Sequence, residues 1–584
     1  MNINAHKYFS PDNFWVKMLF LISGLSITTL LSISLRSSIA YSIGLLIPSI
    51  ILALVIWTWL IFQYNILEKL WADTSKWIKV VAVVFSCVTS WLFGSTLCNS
   101  VIGIIQRLDT SICYIIENIQ LFCNIPNVIR IVEIVERLYP HYMIFLVIFF
   151  VGWGLIMIPC LYIIWKNIIS VSLSKIHDYY LSMDKIEKWY LFITLSISII
   201  LIPIIYSLTN VFYYPTTVSG TVNGFAGIFG ADTGNLLETN AFGNINAPEN
   251  DVRQMLFGLF ALPFSVLSYI ISKIFFFIPH MYPIGLGILQ ALCSIVIALL
   301  ISHLLNIEDG IKKILFLVLF TISYPTLLFS LVLEQYVFAT FWIILFIYIA
   351  STSGKFKEIA YIGACGTLST SVITMPLLSR KIDIRKYLSV GVLAFVIMIL
   401  SGQLWKIVAS ISSVISLSSF TGSKIGIPFI ERLLQYLNFV SLTAYTPSTS
   451  VINAGDIIKY SQNPELSLNI FGLLIILLVV IGFLLNHKNI FANICFGMVI
   501  FSAIILCIIG WNTGENCLAL QSFYFGWAFI SLIFLAIDKI FDKYSKIKIL
   551  TLSCLILTML YINLIGICDV IAFGIEYYPG VLLR

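Results

Sequence analysis

Thirteen apolar runs, each about the length that carries a helix across the roughly 30 Å hydrocarbon core of a bilayer, dominate the chain. They fall at 14–35, 41–63, 79–98, 141–165, 189–208, 281–304, 314–333, 336–351, 388–404, 467–485, 489–510, 517–536 and 548–566. A soluble fold has no use for so many, because every one would need its own buried surface. Composition agrees. Of 584 residues, 60% are hydrophobic and only 10% charged, and mean hydropathy is +1.02. Soluble globules hold nearer about 45–50% apolar and about 25% charged residues. These figures exclude a soluble enzyme, a disordered chain, a nucleic-acid binder and a secreted disulfide scaffold. The expected fold is all-α: a polytopic transmembrane bundle of about 13–15 spans, with interfacial helices and outer loops.

Two segments are ambiguous. Residues 255–278 either cross or lie along the interface, and 358–378 form either one span or a hairpin of two half-helices. Basic residues constrain both. With the N-terminus inside, 22 of the 33 Lys and Arg residues fall in inner loops, among them Lys166, Lys175, Lys312, Lys313, Arg380, Lys381, Lys539 and Lys548. That bias is the positive-inside rule. It holds only if 255–278 does not cross and 358–378 crosses an even number of times. The N-terminus is therefore expected on the cytoplasmic side, retained as a first helix.

Most of the twelve cysteines, such as Cys87, Cys160, Cys293, Cys495 and Cys554, sit within apolar runs as small hydrophobes. No CxxC or Cys/His spacing of the zinc type occurs. Cys113 and Cys123, in a polar outer segment, are close enough in sequence to pair but need not.

Ionisable groups near hydrocarbon are costly and tend to mark function. The inner side offers only basic loops expected to be solvated. Three long polar segments face outward: 99–140, expected as amphipathic surface helices; 209–254; and 405–466, expected as interfacial helices and loops. The second is too long for a simple connection and is rich in Gly and Asn. It carries Asp232, Glu238, Glu249 and Asp251 as candidate bases or ligands, followed by Arg253 and Gln254. A carboxylate beside an arginine suits an anionic lipid substrate, one group taking a proton while the other holds phosphate. The same pattern also closes a loop as a local ion pair. Glu334-Gln335-Tyr336 lies at an outer turn between two spans, where a snorkelling turn residue is the plainer reading. Glu515 and Asn516, in WNTGENCLALQSFYF, stand at the head of a span, where they would equally serve as caps. Lys273, Lys406, Lys424 and Arg432 lie on the same side. Carboxylates with nearby cations at a lipid surface fit a lipid-linked phosphate better than a proton pathway, since the spans themselves hold almost no acid.

The order of elements over about residues 189–380 resembles the membrane module of the GT-C superfamily of glycosyltransferases. A span leads into a long acidic outer loop, then RQMLFGLFALPF, an interfacial segment, a span ending in NIEDGIKK, and the hairpin ISYPTLLFSLVLEQYVFATFWIILF. The resemblance implies a polyprenyl-phosphate sugar as donor, a catalytic acid in the first large outer loop, and a juxtamembrane helix at 255–278. It also implies three regions: N-terminal helices 1–188, a catalytic module 189–404, and outer loops with C-terminal helices over 405–584. Asp232 or Asp251 would be the loop acid, and Glu334 would match the polar position at the end of the following hairpin. The chain departs from the family at SLTNVFYYPTT, where Asn210 stands in place of the usual acid, and at Arg253-Gln254-Met255-Leu256, where an HPP-like element is usual.

The function so implied is transfer of a sugar on the outer face to a glycan, lipid or protein acceptor, with inversion. Asp232 or Asp251 would deprotonate the acceptor hydroxyl, and Arg253, helped by Lys406 or Arg432, would hold phosphate. Glu334, Gln335, Glu249, Gln254, Glu515 and Asn516 would line the site. The partners are the lipid-linked donor, membrane lipids and the acceptor, with no nucleic acid. No metal is demanded, although two carboxylates could hold Mg2+ or Mn2+. A flippase or polymerase of lipid-linked glycans, and a non-catalytic scaffold, are the rival classes.

Overall fold

The computed structural model describes residues 75–91, 94, 142–213, 217–218, 221–222, 227–231, 233–245, 247, 253–352, 357–378, 384–400, 421–454, 457–463, 467–513 and 518–583. The first two expected spans, the 99–140 segment and Cys113 and Cys123 lie outside these residues. The chain forms two compact units, Met1–Ser182 with Val396–Trp405, and Met183–Phe395 with Lys406–Arg584. In the first, helix α1 (residues 76–91) meets α2 (Tyr142–Ser182) through the rings of Phe85 and Trp165, 5.0 Å apart. The Trp165 indole donates to Thr89 Oγ1 at 3.1 Å.

The second unit is mostly helical. Its helices are α3 (Lys185–Leu208), α4 (Thr233–Glu238), α5 (Phe257–Ile274), α6 (Met281–Leu304), α7 (Gly310–Thr321), α8 (Tyr324–Leu331), α9 (Gln335–Ser351), α10 (Lys357–Thr367) and α11 (Thr374–Leu378). After α12 (Ile384–Leu400), which runs into the first unit, come α13 (Phe429–Leu442), α14 (Ile470–Asn486), α15 (Ile490–Ser502), α16 (Ser522–Ile540) and α17 (Ser545–Tyr577). Seven helices among the described residues of the chain are long and apolar enough to cross a membrane. The helical stretch Leu518–Ile540, which contains α16, is buried along its whole apolar window. It forms an axis, with α14, α15, α9 and α17 packed around it.

Local sequence sets the boundaries. Asp184 and Glu187 form a reciprocal capping box at the start of α3, and Asp309, Asn469 and Asn489 cap α7, α14 and α15. The expected single span 314–333 is instead two helices bent by 56°. Ser323 and Pro325 cause the break, since proline has no N–H to continue the α7 ladder and suits the first turn of a new helix.

Residues 358–378 are a hairpin, not one span. The Tyr361 hydroxyl donates to the Val372 carbonyl at 2.9 Å, whereas eleven residues of continuous helix would part them by about 16 Å. Helix α5 has the length and composition to cross, yet both Phe257 and Phe264, about 10 Å apart along it, touch the single ring of Phe338. On α6 it touches Tyr282 and Gly285, on α9 Phe341 and Trp342, and it also meets Phe242 and Gly363. The contacts on α6 and α9 lie toward the starts of both helices, so α5 packs against that end of the bundle. The 405–466 segment, expected as helices and loops, contains α13 and an antiparallel hairpin, β1 (Thr449–Ala454) with β2 (Ile457–Gln462).

Candidate functional site

The two ends of the second unit differ in chemistry. At the end where α3 and α7 begin and α6 ends, Lys312, Lys313 and Lys548 are paired, not solvated as expected, while Lys185 and Lys546 are exposed. Lys313 Nζ lies 2.7 Å from Asp184 and 3.0 Å from Glu187, and His303 Nε2 lies 3.2 Å from Glu187. Lys312 and Lys548 share Asp538 at 2.9 and 2.8 Å. Glu187 and Lys548 are buried. The sequence concealed this because Asp184 reaches Lys313, and Asp538 reaches Lys312, from far away along the chain.

At the opposite end the α8–α9 junction is sunk into the bundle. Gln290, in the middle of α6, is level with Glu334, nine residues or about 13 Å along the helix from the α6 start at Met281. The break there frees backbone groups that hydrocarbon cannot satisfy, so buried side chains must do so. Gln290 Nε2 donates to the carbonyls of Phe329 at 2.5 Å and Val332 at 2.7 Å, and its Oε1 accepts the Glu334 N–H at 3.1 Å. The Tyr206 hydroxyl donates to Leu331 O at 2.6 Å, and Thr233 Oγ1 to Leu333 O at 3.0 Å. Glu334 itself is 3% exposed. Its carboxylate caps α9 by accepting the Gln335 N–H at 3.2 Å, favoured by the positive end of the helix dipole. The Gln335 side chain is also buried, and its Nε2 has no hydrogen-bond partner among the described residues.

Separate hydrogen bonds, linked by chain neighbours, connect this junction to the Arg253–Gln254 segment. Gln521 Nε2 donates to the Tyr336 hydroxyl at 3.0 Å. One helical turn on, the Tyr524 hydroxyl lies 3.1 and 3.2 Å from Thr370 and Ser371 at the tip of the α10–α11 hairpin. The same tip receives Arg253, whose carbonyl accepts the Ser369 N–H at 2.7 Å, and Leu256 N–H donates to Gly366 O at 2.9 Å. Gln254, buried, begins the turn into α5. Arg253, Gln254, Glu334 and Gln335 thus belong to one connected region, with Thr233 reaching it from the 209–254 segment.

Arg432 is placed differently. It is buried and its Nη1 donates to Cys507 O at 3.2 Å and to Ile508 O. It caps the π-helical end (Ala503–Ile509) of α15, where the dipole is negative. Asp232, Glu249, Asp251, Lys406, Glu515 and Asn516 lie outside the described residues. Among the described residues no three His, Cys, Asp or Glu side chains are grouped to hold a metal.

Sequence reading passed over Gln290, Thr233, Gln521, Tyr524 and Asn563. Asn563, fully buried in α17, serves the α7–α8 break. Its Nδ2 donates to Ile322 O at 2.8 Å and Ala444 O at 2.7 Å, and its Oδ1 accepts the Thr446 N–H at 2.8 Å. A lone amide inside an apolar span was the available signal for Gln290 and Asn563. No family model, curated protein or solved structure matches this chain.

Proposed function

We propose that the protein is a membrane glycosyltransferase of GT-C type that moves a sugar from a polyprenyl-phosphate donor to an acceptor on the outer face of a bacterial-type plasma membrane. The observation that carries this reading is the connected polar region from Arg253 through Ser369–Ser371, Tyr524 and Gln521 to Tyr336 and Glu334. It links the segment that carries Arg253, joined through its backbone carbonyl, to a sunken carboxylate and a buried amide donor. A lipid-linked sugar needs those groups in that order, with phosphate near the surface and the sugar below it among hydrogen-bonding neutral groups.

On this reading Arg253 holds the phosphate, and Glu334 with Gln335 lines the sugar or acceptor site. A loop carboxylate, Asp232 or Asp251, takes the proton of the attacking hydroxyl. The C–O bond to the anomeric carbon forms as the bond to phosphate breaks, and the phosphate leaves with its charge held by fixed donors. Thr233, next in sequence to Asp232, is bonded to Leu333 beside Glu334, which favours Asp232 as the base.

Transport of a lipid-linked glycan is the second reading. The broken span α7–α8 favours it, since discontinuous helices often form transporter sites. The ion pairs that join α3, α6, α7, α16 and α17 at the opposite end weigh against it, because a path would have to part them.

The test is sugar transfer by purified protein from a panel of labelled polyprenyl-phosphate sugars, with Asp232→Asn, Asp251→Asn and Glu334→Gln in parallel. Transfer lost in one aspartate variant identifies the base. No transfer from any donor by folded wild type overturns the reading in favour of transport.

A further inference from the structure

We infer that Gln290 is the positioning residue for Glu334: it sets the depth and direction of that carboxylate by gripping both sides of the α8–α9 break. Its amide has two N–H groups and one carbonyl oxygen. The Nε2 donates to Phe329 O and Val332 O, before the break, and the oxygen accepts the N–H of Glu334, after it. Gln290 is fully buried, so water does not take over these bonds.

Geometry explains why an amide is used. The bend leaves carbonyls on one side and an N–H on the other. Only a planar group with donors at one edge and an acceptor at the other serves both without a net charge. Glutamate would lack the donors unless protonated, and an apolar residue would strand all three backbone groups. The Glu334 backbone is therefore fixed on α6, which is mostly buried, and its side chain direction follows from the cap it makes on Gln335 N–H. Asn563 performs the equivalent task at the α7–α8 break, where its hydrogen bonds go to Ile322, Ala444 and Thr446.

This inference rests on the proposed transferase for its catalytic consequence but not for its structural one, and the experiment separates the two. Protein in detergent is treated with a hydrophobic carbodiimide, and N-acylurea formation at Glu334 is followed by peptide mass spectrometry. Exposed Glu576 serves as the internal standard. In Gln290→Met the freed junction opens, and Glu334 labelling relative to Glu576 rises about tenfold, the shift given by loss of one net hydrogen bond. Gln290→Glu, which keeps the acceptor, falls between wild type and Gln290→Met. Asn563→Leu, which frees as many groups elsewhere, leaves Glu334 labelling at the wild-type ratio. Equal labelling in folded Gln290→Met and wild type, or an equal rise in Asn563→Leu, overturns the positioning role.

Where sugar transfer is measurable, Gln290→Met lowers kcat by about 10²-fold with KM little changed, the effect of a roughly 1 Å misplacement. Altered labelling with no transfer by wild type would keep the positioning role and remove the transferase.

Discussion

Lys313 places its ammonium 3.0 Å from the carboxylate of Glu187, and Glu187 is 1% exposed. The pair ties the start of α7 to the start of α3, and His303 at the end of α6 joins from the other side at 3.2 Å. A buried pair of this kind stabilises little against an apolar replacement but is costly to break singly, by about 3–5 kcal/mol, since one charge is then left in low dielectric. Lys313→Met should therefore lower stability by about that amount, and Glu187→Gln by a similar step. The double variant should recover more than half of the combined loss. Thermal unfolding of the four proteins in one detergent reads the coupling; additive losses would show that the two charges do not compensate each other.

Asp184, at the N-cap of α3, carries the opposite lesson about exposure. Burial alone would raise its pKa, but the Lys313 ammonium and the Glu187 backbone N–H outweigh that and hold it below the ordinary 3.8. A carboxyl depressed in the fold contributes stability above its unfolded value, and loses it as pH falls through the folded value. The unfolding temperature should hence decline as pH drops below about 4, and less steeply in Asp184→Asn than in wild type. Asp184 is 43% exposed, so salt should reduce the difference. Parallel pH profiles for the two proteins would count against this cap.

Much of this architecture is legible in the sequence, and the failures have physical causes. The limits of α6 and the start of α9 follow from apolar length, because hydrocarbon thickness imposes one. The α7–α8 bend escapes such reading: Ser323-Tyr324-Pro325 keeps the run apolar while ending the ladder. Glu334 and Gln335 stand out as polar residues between spans, but the sinking of their junction into the bundle depends on Gln290 and Tyr206, distant in sequence. Lys312 and Lys313 look like two solvated charges, yet adjacent positions on α7 point to different neighbours, Asp538 and Asp184. Which acid a lysine meets is a tertiary fact that spacing does not encode.

Gly482 in α14 faces the backbone of α16, and a methyl group there would collide with the carbonyl of Leu532. Small residues allow this close approach of helices in a membrane, where packing replaces the hydrophobic effect between spans. Gly482→Ala should push α14 off the central helix and cost about 1–3 kcal/mol by overpacking. Ala at Gly391, where nothing lies within 4 Å, is the matched control and should be neutral in the same unfolding measurement. Equal stability of the two variants would mean that α14 and α16 adjust at no cost.

Gln335 separates stability from function. Its Nε2 is buried without a partner among the described residues, and such a donor costs about 1–3 kcal/mol relative to a satisfied or apolar group. On the proposed function this donor meets an oxygen of the bound substrate. Gln335→Met, close in volume and free of N–H, should leave the unfolding temperature unchanged or raise it by an amount corresponding to about 1 kcal/mol. The same variant should lose at least about tenfold in kcat/KM for sugar transfer, the value of one buried hydrogen bond. Glu334→Gln should differ, since that carboxylate already caps α9 and its loss weakens the helix start as well. A Gln335→Met protein that is less stable yet fully active would place the amide in the fold instead of the site.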